Sequence, residues 1–265
     1  MPTHNTPIDN RHNTERSSSA HEQAPRGSGG RIIALLLAGG VGSRFSAMRP
    51  KQYIEVEGQP IITYTMDAFE KHSRVTDIYV VCMDRWTSYI DTKAKEIGIS
   101  KFRGCLPSGE TSFESMRKGI SGLIEMGYDK DSIVLVHDSV RPLISHDTIS
   151  SNIEVCRQNG NAITVVYSNE AYMHVNGTNA GDGYAARDEY MRAQTPHTFR
   201  LSTLEEMFSQ ASAKGIQTSQ SLFTLANELG QKGLFIAQGD ILNFKITKPQ
   251  DLFIFKAILR QREEG

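Results

Sequence analysis

Arg44 and Lys51 stand seven residues apart, in a stretch that opens with Leu37-Ala38-Gly39-Gly40-Val41-Gly42-Ser43. Three glycines within four residues let a backbone come close to a ligand and aim N–H groups at an anion. Two cations beside such a turn suit a triphosphate whose α-phosphorus is attacked, because they oppose the negative charge that builds up there. The pattern is not a P-loop, which needs Gly-x4-Gly-Lys-Ser/Thr, nor the dinucleotide pattern Gly-x-Gly-x-x-Gly. The structural alternative is a glycine-rich turn with surface cations, and the whole run from Ala38 to Lys51 argues for the anion site.

A second cluster reads His137-Asp138-Ser139-Val140-Arg141-Pro142. An aspartate at the end of an apolar strand is placed to hold Mg²⁺, a hard cation that takes oxygen ligands and bridges phosphates. His137 is expected to pack under the loop rather than to ligate the metal. Arg141 either touches phosphate or pins the loop through carbonyls, and both remain open. Cys82, Cys105 and Cys156 are widely spaced and odd in number, which fits neither a disulfide framework nor a zinc ribbon and points to a reducing compartment.

The elements that hold these residues alternate. Apolar runs at Ile32–Leu37, Ile78–Cys82, Ile133–Val136 and Ala162–Tyr167 read as strands covered on both faces. Between and after them, helical spacing covers Ile61–Lys71, Trp86–Ile97 and Thr111–Glu125, with Ser108 as a cap for the last and a further helix opening near Ser145 or Asp147. Such alternation implies parallel pairing through right-handed crossovers, hence an α/β, doubly wound, mostly parallel sheet. Residues 168–193 break the rhythm with Asn176-Gly177, Gly181 and Gly183 and read as a protruding β-arm. Helices at Ser202–Ala213 and Ser219–Leu229, a strand at Leu234–Ala237 and a helix opened by Thr247-Lys248-Pro249-Gln250 complete the chain.

Composition bounds the rest. The chain has 265 residues, of which 29 are basic and 30 acidic, so it lacks the overall basic charge of most nucleic-acid binders. No apolar run reaches the roughly 20 residues of a membrane helix. Residues 1–30 hold few apolar side chains and are expected to be a disordered tail without a secretory signal, leaving residues 31–265 as one domain in the cytoplasm.

The motifs also carry a resemblance. Ala38-Gly39-Gly40-x-Gly42-Ser43-Arg44 with Pro50-Lys51-Gln52 resembles the nucleotidyltransferase signature of CTP-dependent cytidylyltransferases, and His137 to Pro142 resembles their second motif. Gln194-Thr195-Pro196-x-Thr198-Phe199 and Asn243-Phe244-Lys245-Ile246-Thr247-x-Pro249-x-Asp251-Leu252 resemble the third and fourth. The family contains 2-C-methyl-D-erythritol 4-phosphate cytidylyltransferase and ribitol-5-phosphate cytidylyltransferase. The resemblance implies a Rossmann-like nucleotidyltransferase fold and transfer of CMP from CTP to a small polyol phosphate, with Mg²⁺ and release of pyrophosphate. It implies Arg44 and Lys51 as the catalytic pair, and Leu37, Ala38, Gly39, Gly40, Gly42, Gly109, Glu110, Ser115 and Ser139 at CTP. Arg141, Arg187, Thr195, Ser219 and Lys245 would meet the polyol phosphate, and Asp138 the metal. In the family the arm bearing the arginine crosses to the partner subunit, which implies a homodimer with Arg187 completing the neighbour's site.

Three positions depart from the family's pattern. Ser112 stands where many relatives have arginine. Ser219-Gln220-Ser221 replaces a Thr-Asp-Asp or Thr-Asp-Glu run, and Asn169-Glu170 replaces an Asp-Thr pair. The last two lie toward the acceptor, and Asp84-Arg85-Trp86 resembles the ribitol-phosphate branch, so ribitol 5-phosphate is the preferred acceptor. The alternatives are the methylerythritol enzyme of isoprenoid biosynthesis and a non-catalytic nucleotide-binding relative. A nucleotide-sugar glycosyltransferase is disfavoured because Asp129-Lys130-Asp131 precedes its strand instead of following it.

Overall fold

The computed structural model describes residues 30–40, 49–177, 180–186 and 189–264. Most of the expected tail, together with Gly42, Arg44 and Arg187, lies outside the described residues.

Four apolar runs form the parallel centre: β1 (Ile32–Leu37), β4 (Asp77–Cys82), β6 (Ile133–Asp138) and β7 (Asn161–Tyr167). With β5 (Phe102–Pro107), β10 (Met191–Arg200) and β11 (Ile236–Gln238) they make a seven-stranded sheet in the order β11-β7-β10-β6-β1-β4-β5. β1 pairs in parallel with β4 and β6, whereas β10 runs antiparallel between β6 and β7. Two of these strands escape the periodicity. β5 carries Arg103, Gly104 and Pro107 at the sheet edge, where the strand is paired along one side only. β10 carries Pro196 and four polar residues in the sheet interior, and its register shifts between Ala193 and His197, which is where a strand proline is tolerated.

Alternation along β1 divides the core. Ile33 and Leu35 face one layer with α3 (Ser112–Glu125), α5 (Leu201–Ala213) and α6 (Leu222–Glu228). Ile32, Ala34 and Leu36 face the other with α1 (Ile61–Glu70), α2 (Thr87–Glu96) and α4 (His146–Asn159). Each helix supplies apolar residues at three- and four-residue spacing, such as Ile62, Met66 and Phe69 of α1 and Phe113, Met116, Ile120 and Leu123 of α3. Thr111, rather than Ser108, caps α3: its hydroxyl accepts from the Glu114 N–H at 3.1 Å. Ser145 caps α4.

A smaller cluster holds the last helix, α7 (Pro249–Glu264), through Phe255 against Val56, Ile61 and Ile246. Its first turn is closed by Asp251, not by Gln250, for the Asp251 carboxylate accepts from the N–H groups of Thr247 and Lys248 at 2.6 and 2.8 Å. Val56 belongs to the short hairpin of β2 (Glu55–Val56) and β3 (Gln59–Pro60). Beyond the body, β8 (Tyr172–Val175) and β9 (Gly181–Ala185) pair as a separate ribbon, and the chain rejoins the main sheet at Met191. No helix among the described residues is long and apolar enough to cross a membrane.

Candidate active site

The chain passes from β1 to β4 on one side and later returns to β6 on the other, so the carboxyl ends of β1 and β6 flank a topological switch point. Open α/β sheets bind ligands at such crevices. Here β1 ends in Ala38-Gly39-Gly40, and two hydrogen bonds shape that turn: the Gln52 amide donates to the Ala38 carbonyl at 2.6 Å and to the Gly40 carbonyl at 2.9 Å. Gln52 lies in a 3₁₀ turn, Lys51–Tyr53, that begins after Pro50. Tyr53 anchors the turn by stacking on Trp86 with ring centres 4.1 Å apart, which leaves Lys51 on the cavity wall. Glycine is required at residue 39 for packing. A Cβ there would lie 2.7 Å from Ser108 Cβ and 2.9 Å from Ser115 Oγ, whereas one at Gly40 would meet nothing within 4 Å.

Opposite the cradle, Asp138 collects two cations. Its carboxylate accepts from Lys245 Nζ at 2.9 Å and from Arg141 Nε at 3.0 Å. Burial works against the charge, but Lys245 and Arg141 overcome it and hold the carboxyl well below the usual range. Arg141 also donates to the Asn243 carbonyl at 2.8 Å, which ties the β6 loop to the segment carrying Lys245. The backbone of that segment is pinned in turn, since the Ile246 N–H donates to the Val140 carbonyl at 2.9 Å. Asn243 donates to the Thr195 carbonyl at 2.9 Å, and the Asp138 N–H donates to Thr195 Oγ1 at 3.0 Å. His137 lies beneath, fully buried, with its ring 5.2 Å from that of Phe69. Burial pushes its pKa down to about 3, so it is neutral.

Cradle and carboxylate corner enclose one cavity of about 620 Å³. Leu37, Ala38, Gly39, Gly40, Lys51, Glu110 and Ser115 line it, as do Ser139, Asp138, Arg141, Thr195 and Lys245. Several of these hydroxyls are committed to the protein. Ser139 Oγ donates to the Leu37 carbonyl at 2.7 Å and so laces β1 to β6. Ser115 Oγ accepts from the Gly109 N–H at 3.0 Å and donates to the Thr111 carbonyl at 2.9 Å, which shapes the start of α3. Gly109 and Ser219 are not on the wall. Ser219 is buried, with its hydroxyl 2.8 Å from Thr224 Oγ1 at the start of α6, and the neighbouring Gln220 and Ser221 take its place at the cavity.

The wall also holds Ser112, already marked as a departure from the family's pattern, and residues that the sequence did not single out as site residues: Gln52, Thr111, Gln194, His197 and Thr247. Gln52, Gln194 and Thr247 sit inside recognisable motifs, so their neighbours were the available signal. Nothing local marks His197, which points inward from the antiparallel strand.

A family model described as IspD: 2-C-methyl-D-erythritol 4-phosphate cytidylyltransferase matches residues 32–261. The chain belongs to this family. Cytidylyltransferases are nucleotidyltransferases, so its chemistry is nucleotidyl transfer. A ribitol-5-phosphate cytidylyltransferase of Streptococcus agalactiae serotype Ia is 34% identical over 232 residues, covering 87% of this chain and 96% of that relative. A 2-C-methyl-D-erythritol 4-phosphate cytidylyltransferase of Geotalea uraniireducens is 31% identical over 233 residues, covering 87% and 97%. Among solved structures, the 4-diphosphocytidyl-2C-methyl-D-erythritol synthase of Anaerococcus prevotii superposes with a TM-score of 0.74 at 22% identity, covering 87% of this chain and 99% of that one. That likeness establishes the cytidylyltransferase fold, with its mostly parallel sheet and helices on both faces.

Proposed function

We propose that this cytidylyltransferase transfers CMP from CTP to ribitol 5-phosphate, forming CDP-ribitol and pyrophosphate. The observation that carries the reading is the single cavity, with a glycine cradle and Lys51 on one wall and the Asp138–Arg141–Lys245 cluster on the other. One wall suits a triphosphate and the other a second, smaller anion. The preference for ribitol over 2-C-methyl-D-erythritol rests on the 34% identity to the ribitol-5-phosphate relative and on Gln220 and Ser221 at the acceptor side.

The nucleophile is the acceptor's own phosphate, whose second pKa near 6 leaves it largely dianionic at neutrality. It needs no general base, and the buried neutral His137 is not called on to act as one. The chain's task is to hold two anions in line and to oppose the charge that grows at the α-phosphate. In this reading Lys51 and Arg44 oppose that charge, Glu110 and the start of α3 face the nucleoside, and Lys245 meets the acceptor phosphate. Arg187 of a second copy completes the acceptor site in a homodimer. Tyr172, Met173, Val175 and Tyr184 of the arm are all exposed, as a ribbon that packs on a partner would leave them. Free thiols at Cys82, Cys105 and Cys156 suit a cytoplasmic enzyme.

Mg²⁺ fits as a companion of the triphosphate. Among the described residues no group of three or more His, Cys, Asp or Glu side chains could hold a metal, and Asp138 already carries two cations. A hard cation held mainly by phosphate oxygens, with Asp138 as one carboxylate neighbour, is compatible with that donor set. When bound, it would neutralise phosphate charge.

The test is pyrophosphate release from CTP with ribitol 5-phosphate, 2-C-methyl-D-erythritol 4-phosphate and a hexitol phosphate. Turnover fastest with ribitol 5-phosphate supports the proposal. Turnover with the methylerythritol phosphate alone transfers the chain to that branch, and CTP binding with no product from any acceptor leaves a nucleotide-binding relative.

A further inference from the structure

Behind the Lys51 turn lies an aromatic shelf. After β4 the chain makes a 3₁₀ turn, Asp84–Trp86, and enters α2, whose Ile90 and Ala94 are buried against the sheet. The rings of Trp86 and Tyr89 are thereby held 5.6 Å apart, centre to centre, with their planes at 77°. Tyr53 is fully buried and closes the shelf from behind, its edge contact with Tyr89 spanning 5.9 Å. Arg49 rests on this shelf. Its guanidinium carbon lies 5.1 Å from the ring centre of Tyr89 and 5.9 Å from that of Trp86. A planar, weakly hydrated cation is attracted to such ring faces. Arg49 Nη1 also lies 3.5 Å from Glu55 Oε1, but the two side chains are 40% and 48% exposed, and an ion pair so wet contributes little. Neither Arg49 nor any of the three rings lines the cavity.

Only Pro50 separates Arg49 from Lys51. The pyrrolidine ring fixes the φ of Pro50, here −59°, and also restricts the residue before it. Pro50 is buried, and its carbonyl accepts from the Tyr53 N–H at 3.0 Å. The linkage from Arg49 to the turn that presents Lys51 is therefore stiff. We propose that Arg49 is a positioning residue for Lys51: its cation–π contact with Tyr89 and Trp86 clamps the entry to the turn, as Gln52 clamps the exit on the glycine cradle. The same contact holds the Arg49 charge on the outer shelf, apart from the cavity. Lys51 is thus placed before the nucleotide arrives and needs no reorganisation as charge grows at the α-phosphate, so the clamp acts on kcat. This inference rests on the reading of Lys51 as the group that opposes that charge.

Pyrophosphate release from CTP, with whichever acceptor phosphate the wild type uses fastest, tests it in variants of the full chain. Arg49→Met keeps an unbranched stem and removes the cation. It should lower kcat about fivefold, the scale of a half-exposed cation–π contact, and change the CTP KM by less than about twofold. Arg49→Lys should recover most of the loss. Tyr89→Leu removes the nearer ring and should match Arg49→Met, whereas Tyr89→Phe keeps the ring, loses a hydroxyl that has no hydrogen-bond partner, and should behave as the wild type. Glu55→Gln should leave kcat unchanged. In a Tyr89→Leu or a Lys51→Ala background, Arg49→Met should cause little further loss, because each background already breaks the same linkage.

A raised CTP KM at unchanged kcat in Arg49→Met would make Arg49 a nucleotide contact. A loss reproduced by Glu55→Gln would give the role to the ion pair. A full loss from Arg49→Met in the Lys51→Ala background would show that Arg49 does not act through Lys51. Each of these results overturns the proposal. Undiminished kcat in Lys51→Ala, or a wild type that makes no product from any acceptor, removes the reading of the site and the clamp with it. A loss in Lys51→Ala with none in Arg49→Met sinks the clamp alone.

Discussion

Replacing Gln52 by leucine keeps the side chain's bulk and removes both amide donors from the cradle. The Ala38 residue is buried, so its carbonyl, now 2.6 Å from Gln52 Nε2, would lose its partner without gaining water. An orphaned buried carbonyl costs about 1–3 kcal/mol. Gly40 is exposed, so its carbonyl would be rehydrated and only the net hydrogen bond, about 0.5–1.5 kcal/mol, would be lost. The sum is about 3 kcal/mol, which for a domain of this size lowers Tm by roughly 6–12 °C. Urea denaturation gives the stability and initial rates at varied CTP give the KM, which should rise on the order of tenfold as the cradle loosens. Gln52→Glu should be worse on both counts, because it turns a carboxylate toward two carbonyl oxygens. A loss below about 1 kcal/mol with an unchanged CTP KM would show that these two bonds do not hold the cradle, and the account of the site would fail with them.

Three other outcomes are expected. Lys51→Ala should lower kcat far more than it raises the CTP KM, since charge that develops only in the transition state is what the lysine opposes; equal losses in steady-state kinetics would make Lys51 a ground-state anchor. Asp138→Asn should cost up to about 3 kcal/mol in urea denaturation, the low end for a buried ion pair because Lys245 is partly exposed, and should raise the acceptor KM more than the CTP KM. Acid should destabilise the fold through His137 and His197, which burial holds down at about 3 and about 4. Unfolded, both would titrate near 6.5, so their contribution is complete above that pH and falls as pH drops toward 4, by about 1.4 kcal/mol per pH unit for each group. Stability measured from pH 7 to 4.5 should show this slope, and His197→Gln should flatten it by about one proton.

How much of this was legible beforehand differs by element. Ile32–Leu37 and Ile133–Val136 are readable as strands because a parallel strand covered on both faces must be apolar throughout, a property of the residues alone. The glycine turn, Lys51 and the His137-Asp138 pair are likewise local, and a strand's carboxyl end is where such a turn has to be. β10 was hidden for the opposite reason. Its Gln194, Thr195 and Thr198 look like loop residues until partners arrive from afar: His137, 58 residues from Thr195, and Asn152, 46 from Thr198. Only the folded chain supplies those partners, and only then do these three side chains lie inside a sheet with their polar atoms paired. Asp138 shows the same division. Its place at the end of β6 follows from the sequence, but the ammonium that occupies its carboxylate comes from 107 residues away. Residue type and spacing therefore determined which chemistry was on offer. Tertiary structure decided which side chains were already committed to one another, because hydrogen bonds and ion pairs between distant segments leave no periodic trace in the chain that makes them.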